Sequence, residues 1–301
     1  MPPIDSVTQV EPRHEGCLVV TGSHGGASVV PYARAVRAWV YVFNDAGVGK
    51  DDAGIAALEL LQADGIAAAN VIGRPFTARG IDFLTGAVTD MTAEPATDEE
   101  TTQTVKVMGG EDWELWIRRL RQEGALAQGA LTIALSYIGP ELTRAIYRDG
   151  TIGRAKADLE ATARRIDALL EDSDGRALIS VNKALVTRAS AVIPGVPLYI
   201  ALLYRVMKDK GLHESCIQQI DRLHRDYLFS RHPLTPDAEG RIRLDDREMR
   251  PDVQREVSRL WGQISTENVG ELSDIAGFRE EYLRYHGFGV PGIDYTADVP
   301  T

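Results

Sequence analysis

Apolar and polar positions along the chain follow two regimes. In the first, short apolar runs alternate with stretches of helical period. GCLVVTGSHGG (16–26) reads as a strand running into a glycine-rich turn, the segment around Tyr32–Ala38 as a helix, and WVYVF, ending at Asn44-Asp45, as a second strand. IAALELLQADG has helical periodicity stopped by Gly65, and IAAANVI (66–72) reads as a third strand. Strand, helix, strand, helix, strand predicts a small parallel α/β unit.

Between Thr89 and Thr102 the pattern lapses: TDMTAEPATDEETT is polar, acidic and without an apolar period. It reads as a linker, dividing the chain into a small α/β unit over 1–90 and a second region over 91–301. The second regime is rich in helices. EDWELWIRRLRQEG places Trp113, Trp116, Ile117 and Leu120 at helical spacing, and ADLEATARRIDALLED sets Leu159, Ala163, Ile166 and Leu170 on one stripe. LTIALSY and RALISV read as buried strands, and PLYIALLYRVMKDKG as a mostly buried helix. HESCIQQIDRLHRDYLF, RIRLDD, PDVQREVSRLWGQI and ELSDIAGFREEYLRYHGFG follow, with no internal repeat. The predicted class is α/β, a Rossmann-like parallel sheet with a helix-rich C-terminal portion.

Composition narrows the partners. Apolar residues make up 44% and charged residues 26%, an ordinary globular balance. No apolar run is long enough to span a bilayer, and MPPIDSVTQVEPRHEG lacks the basic-then-apolar order of a secretory signal. Cys17 and Cys216 lie far apart without metal-ligand spacing. They suit two reduced thiols in a cytoplasmic protein better than a disulfide or a metal site. A net charge of −11 argues against nucleic acid as a partner. Of the 33 basic residues only six are Lys, a ratio that codon bias explains without explaining where those six stand.

The placement of Lys156 is suggestive. Tyr147 and Lys156 are nine residues apart, and on one continuous helix nine steps of about 100° end on the opposite face. They can meet only across a backbone break. Asp149-Gly150 can end one helix and Thr151 can cap the next, leaving Lys156 in its first turns. A Tyr–Lys pair suits reduction of an activated double bond. Hydride arriving at the β-carbon of an enoyl thioester pushes charge onto the thioester oxygen, where a phenol can donate a proton or a hydrogen bond. A nearby ammonium favours the phenolate. Taken alone, a Tyr and a Lys at this spacing are common in any chain.

Several long stretches in the same order say more: EPATDEET, VMGGEDWELWI, SYIGPELTRAIYRDGTIGRAKADLE, SVNKALVTRASAVIPGVPLY, VMKDKGLHESCIQQI and HGFGVPGIDYTADV. Through these, residues from about 94 to 301 resemble the trans-2-enoyl-CoA reductase/enoyl-acyl-carrier-protein reductase family. The resemblance implies NADH as cofactor and an enoyl-CoA or enoyl-acyl-carrier-protein as substrate. It implies Tyr147 as the proton donor, Lys156 with Leu185, Val186 and Thr187 as cofactor contacts, and Tyr137 as a substrate contact. Two positions depart from the family's pattern. Arg188 stands where Gln is usual, beside the cofactor stretch, and Arg247 interrupts a D-D-W-E stretch at what looks like the periphery.

The first ninety residues do not match the family's glycine-rich cofactor half. VVTGSHGGAS fits a short-chain reductase loop only in part, with Ser28 where the last glycine belongs, although Asp45 stands near where a ribose-binding acid is expected. AGVGKDD fails as a phosphate loop, because Asn44 and Asp51 replace required residues. Lys183, at a strand end, reads equally as a residue lining the cofactor cleft or as a snorkelling lysine. The run Arg118, Arg119 and Arg121 reads as a solvated helix face before it reads as a site for CoA phosphates or an acidic carrier. The leading expectation is an NADH-dependent enoyl-thioester reductase. The alternative is an inactive truncated or chimeric reductase serving as a binding or oligomerisation module. A hydrolase built on Ser23, His24 and Asp45 lacks any supporting nucleophile motif.

Overall fold

The computed structural model describes residues 39–42, 70–230, 233–295 and 297. The expected strand over 16–26, the helices at Tyr32–Ala38 and 55–65, and Ser23, His24, Ser28 and Asp45 lie outside the described residues. The described strands are β1 (Trp39–Val42), β2 (Phe76–Ile81), β3 (Val88–Ala93), β4 (Leu131–Ser136), β5 (Arg176–Val181) and β6 (Arg241–Arg243). The α-helices are α1 (Asp98–Met108), α2 (Glu111–Gln122), α3 (Arg144–Tyr147), α4 (Thr151–Leu170), α5 (Val196–Asp209), α6 (Cys216–Arg222), α7 (Pro251–Gln263), α8 (Val269–Leu272) and α9 (Ile275–Tyr285).

Strands β1, β4, β5 and β6 lie side by side in that order, all parallel, with Trp39 paired to Leu131, Leu131 to Arg176 and Val181 to Arg243. Alternation along β5 explains its two buried faces. Leu178 points with Ile133, Ile242 and Leu244 into one core, whereas Ala177, Ile179 and Val181 meet Trp113, Leu159, Ile166 and Leu170 on the other side. Helices α2 and α4 therefore cover one face with the stripes their sequences predict. Helix α5 is apolar almost all round and sits at the centre of the largest core, against α7 and α9. The class is α/β with a parallel sheet, as expected.

Two expectations fail. The polar stretch over 89–102 is not a linker but a strand and a helix start. Strand β3 pairs antiparallel with β2, from Phe76–Ala93 to Ile81–Val88, and Thr89, Asp90 and Thr92 on it are exposed. A two-stranded ribbon has little face to bury, so its sequence carries no apolar period. The acidic run after it is a helix N-terminus. The Thr97 backbone N–H donates to Glu100 Oε2 at 2.6 Å, Thr97 Oγ1 accepts from the Glu100 N–H at 3.2 Å, and Asp98, Glu99 and Glu100 occupy the first turn. Carboxylates favour that end of the helix dipole. The second failure is at the described end of the strand expected over 66–72: residues 70–72 form no strand and Val71 makes a single bridge to Pro95, while 66–69 lie outside the described residues.

The division expected at residue 90 falls inside β3, and β1 shares a sheet with β4. The β2–β3 hairpin is held far along the chain: Arg79 Nη1 donates to the carbonyls of Trp261 at 3.1 Å and Ile264 at 3.0 Å, at the end of α7. Arg279 on α9 donates to the carbonyls of Phe83 and Leu84 in the hairpin loop.

Candidate active site

Parallel strands release their chains at one edge, and ligands of such sheets bind outside the carboxyl ends. Three neighbouring strands end together here. Ser136 at the end of β4 is in register with Val181 at the end of β5, and the Leu244 N–H just past β6 donates to the Val181 carbonyl at 2.8 Å. The next few residues of each segment supply Tyr137, Lys183-Ala184 and Glu248. The Ser136 Oγ among them is buried without a hydrogen-bond partner.

Tyr137 and Tyr147 are brought together, their rings meeting edge to face with centroids 4.8 Å apart. Tyr147 arrives from α3, a single turn after the 3-10 segment Glu141–Thr143. The Tyr137 hydroxyl donates to Glu248 Oε1 at 2.9 Å, and Tyr199 from α5 donates to the same oxygen at 2.6 Å. Glu248 Oε2 accepts the Ala184 N–H at 2.7 Å. Glu248 is fully buried. Burial pushes its carboxyl up, opposed by the Tyr199 hydroxyl, the Ala184 N–H, the Lys183 ammonium and the Tyr137 hydroxyl. Burial also raises the Tyr137 and Tyr199 phenols far above their ordinary range, and the Glu248 charge adds to it. Both stay protonated donors.

Lys183 is an interior residue, 2% exposed, so the snorkelling reading is wrong. Its Nζ donates to the Ala184 carbonyl at 2.8 Å and lies 4.5 Å from the centre of the Tyr204 ring. Burial pulls the ammonium down to about 8, against the pull of Glu248, Glu281 and Glu214. His213 meets the Tyr204 ring edge to face with centroids 4.5 Å apart, and its Nδ1 is buried without a partner.

The backbone break between Tyr147 and Lys156 is present. Helix α3 ends at Tyr147, Gly150 caps α4, and α3 packs on α4. Thr151 is not the cap but the first residue of α4, and both its N–H and its hydroxyl donate to the Asn70 carbonyl. Gly150 is required for space, since a Cβ there would fall within 3 Å of the carbonyls of Asn70, Ile146 and Ala145. Lys156 sits in the second turn of α4, half-buried. The stretch Leu185, Val186 and Thr187 follows β5 and is folded round Ser190, which donates to the Leu185 carbonyl at 2.9 Å and accepts the Thr187 N–H at 2.8 Å.

Glu248 is the residue that sequence reasoning missed. It lies 111 positions from Tyr137, in a charged cluster that reads as surface. The signal available was its place just after RIRLDD, the next strand along the same sheet edge. Arg247 beside it is partly exposed and pairs with Glu214 at 3.2 Å, so that departure stands next to the site rather than far from it. Arg188 is exposed. Arg118, Arg119 and Arg121 pair with Glu114, Glu123 and Asp172 on the outer face of α2, the solvated arrangement expected of them. A groove of about 850 Å³ runs between the hairpin and α3, lined among others by Phe76, Arg79, Leu142, Arg144 and Ala145.

The sequence that carries this arrangement matches a known family. Residues 66–229 match the model for the trans-2-enoyl-CoA reductase catalytic region. The chain belongs to the trans-2-enoyl-CoA reductase family. The match begins before Glu94 and takes in the hairpin. Residues 236–299 match a second model, described as an enoyl reductase FAD binding domain. An enoyl-[acyl-carrier-protein] reductase [NADH] of Coxiella burnetii (strain Dugway 5J108-111) is 56% identical over 229 residues, 76% of this chain and 56% of that protein. One from Cytophaga hutchinsonii is 53% identical over 228 residues, 76% of this chain and 58% of that protein. The chain thus spans little more than half the length of these curated relatives. Among solved structures, the trans-2-enoyl-CoA reductase of Treponema denticola in complex with NAD superposes with a TM-score of 0.80 at 45% identity, covering 91% of this chain and 67% of that one. The Clostridium acetobutulicum enzyme in complex with NADH gives a TM-score of 0.80 at 40% identity, covering 90% of this chain and 68% of that one.

Proposed function

We propose that this chain reduces the trans-2 double bond of enoyl thioesters, as enoyl-CoA or as enoyl-acyl-carrier-protein, with NADH. The observation that carries the reading is the Tyr137–Tyr147 pair at the carboxyl end of β4, on the motif stretch shared with the family. Among the described residues, the cofactor's nicotinamide end fits the same edge: the partnerless Ser136 hydroxyl is a free polar group there, and the 185–187 loop is held rigid by Ser190. Lys156, Leu185, Val186 and Thr187 are the residues assigned to hold it. When bound, NADH supplies the hydride.

The chain's own groups handle the charge and the proton. Tyr147 donates its phenolic proton towards the thioester oxygen as charge develops there, and Lys156 stabilises the phenolate left behind. Tyr137 orients the acyl group from the other side of the pair. The groove beside α3 is the place on the described surface for a long thioester tail. Among the described residues no helix is long and apolar enough to cross a membrane. The free thiol of Cys216 supports a cytoplasmic location, and the net charge of −11 argues against nucleic acid as a partner.

The test is NADH oxidation with crotonyl-CoA, comparing the wild-type chain with Tyr147→Phe. Loss of general-acid catalysis lowers kcat by roughly 10²- to 10⁴-fold. A wild-type chain that binds NADH without turning over substrate, or binds none, refutes the proposal and favours an inactive module.

A further inference from the structure

We infer that Glu248 is a positioning residue that sets the direction of the Tyr137 hydrogen bond, so that Tyr137 faces the site as an acceptor and not as a donor. The inference rests on the enoyl-reductase reading for its catalytic half and on geometry for the rest.

A phenol has one proton to donate. That of Tyr137 is committed to Glu248 Oε1 at 2.9 Å, which leaves only oxygen lone pairs for anything approaching from the site. The acceptor is unusually well fixed. Three donors converge on its two oxygens: the Tyr137 and Tyr199 hydroxyls on Oε1 and the Ala184 N–H on Oε2. With both hydroxyls donating to Oε1 and the Ala184 N–H to Oε2, the hydrogen bonds are those of the carboxylate. Lys183 supplies the compensating charge nearby. Gln254 on α7 closes the ring, donating through Nε2 to the Glu248 carbonyl at 2.7 Å and to the Tyr199 hydroxyl at 3.1 Å. With that bond received, the Tyr199 proton also points at Glu248 and cannot substitute for Tyr137. Because Ala184 heads the loop carrying Leu185, Val186 and Thr187, one carboxylate registers the substrate tyrosine against the cofactor stretch.

The test uses the full chain labelled with [13Cζ]tyrosine, the Tyr137 resonance being the one that Tyr137→Phe removes. Donation to a carboxylate moves this carbon downfield of an ordinary phenol, so a free-phenol position in the wild type overturns the inference without any Glu248 variant. In Glu248→Gln, the side-chain NH2 avoids the Ala184 N–H only by turning to the hydroxyls, which reverses Tyr137. The expected result is an upfield move of its resonance, and an unmoved one overturns the inference. In turnover of crotonyl-CoA, Glu248→Gln is expected to lower kcat about ten- to a hundred-fold, the scale of one charge-assisted hydrogen bond. It is expected to add nothing further in the Tyr137→Phe background. Additive losses would mark Glu248 as merely structural. A wild type that shows the downfield resonance but no turnover refutes the enoyl-reductase reading and the catalytic half, while the hydrogen-bond assignment stands.

Discussion

Replacing Lys183 by methionine tests how far its ammonium is cut off from water. The side chain is 2% exposed, with one carbonyl at 2.8 Å and an aromatic face at 4.5 Å as its neighbours. Burial holds its folded value at about 8, whereas in an unfolded chain a lysine titrates near ~10.4. A depressed value on a base means that the folded state releases its proton first. Between the two values the unfolded chain therefore binds more protons, and stability rises with pH. The gap of more than two units corresponds to about 3 kcal/mol. That cost is fully present below pH 8 and gone by about 10.4. Methionine has a similar length and no charge, so it escapes the cost at every pH. Paired urea unfolding of wild type and Lys183→Met from pH 7 to 10 should show the variant at its relative best near neutrality. Its standing should worsen by about 3 kcal/mol towards the alkaline end, since titrations common to both chains cancel. A difference that stays flat across this range would show that the ammonium is solvated and that the desolvation argument is wrong.

Two further changes probe the scaffold beneath the site. Trp113 is fully buried and donates from Nε1 to Thr132 Oγ1 at 2.8 Å, tying α2 to β4; Trp113→Phe should cost about 2 kcal/mol in urea unfolding through a cavity and a lost hydrogen bond. A loss below half a kcal/mol would show that the bond and the packing matter little. Gly110 lets the start of α2 approach α4 closely, and a Cβ there would overlap the Thr162 side chain. Gly110→Ala should lower stability by about 1–3 kcal/mol, and Thr162→Ala in the same chain should restore part of it. No recovery would place the strain elsewhere.

The parallel strands and the α2 and α4 stripes were legible because LTIALS, RALISV and the Leu159–Leu170 stripe repeat one period over many residues. The acidic stretch was misread for the opposite reason. A strand in an exposed ribbon and the first turn of a capped helix both select polar residues, so together they imitate a linker. Gly150 announced the break between α3 and α4, yet the true capping arrangement was hidden. Thr151 finds its partner at Asn70, 81 positions earlier, and only the tertiary fold reveals that choice. Tyr137 and Tyr147 could be singled out because their motif is local. Glu248 and the interior position of Lys183 could not, because burial of a charge depends on groups that separate strand ends and helix α5 bring from afar.

The Arg79 clasp on the last turn of α7 also bears on how the molecule comes into being. Its partners lie 182 and 185 positions downstream. Closing so long a loop costs little more free energy than closing one half its size, but it cannot begin until the far end exists. On the ribosome, strands β4 and β5 and the helices α2 and α4 are complete by residue 181, well before then, and such regions fold first. The hairpin is fastened only once Ile264 has emerged. Synthesis interrupted before that point leaves an assembled sheet whose β2–β3 arm has no anchor, and open strand edges of this kind are what proteases and aggregating neighbours recognise.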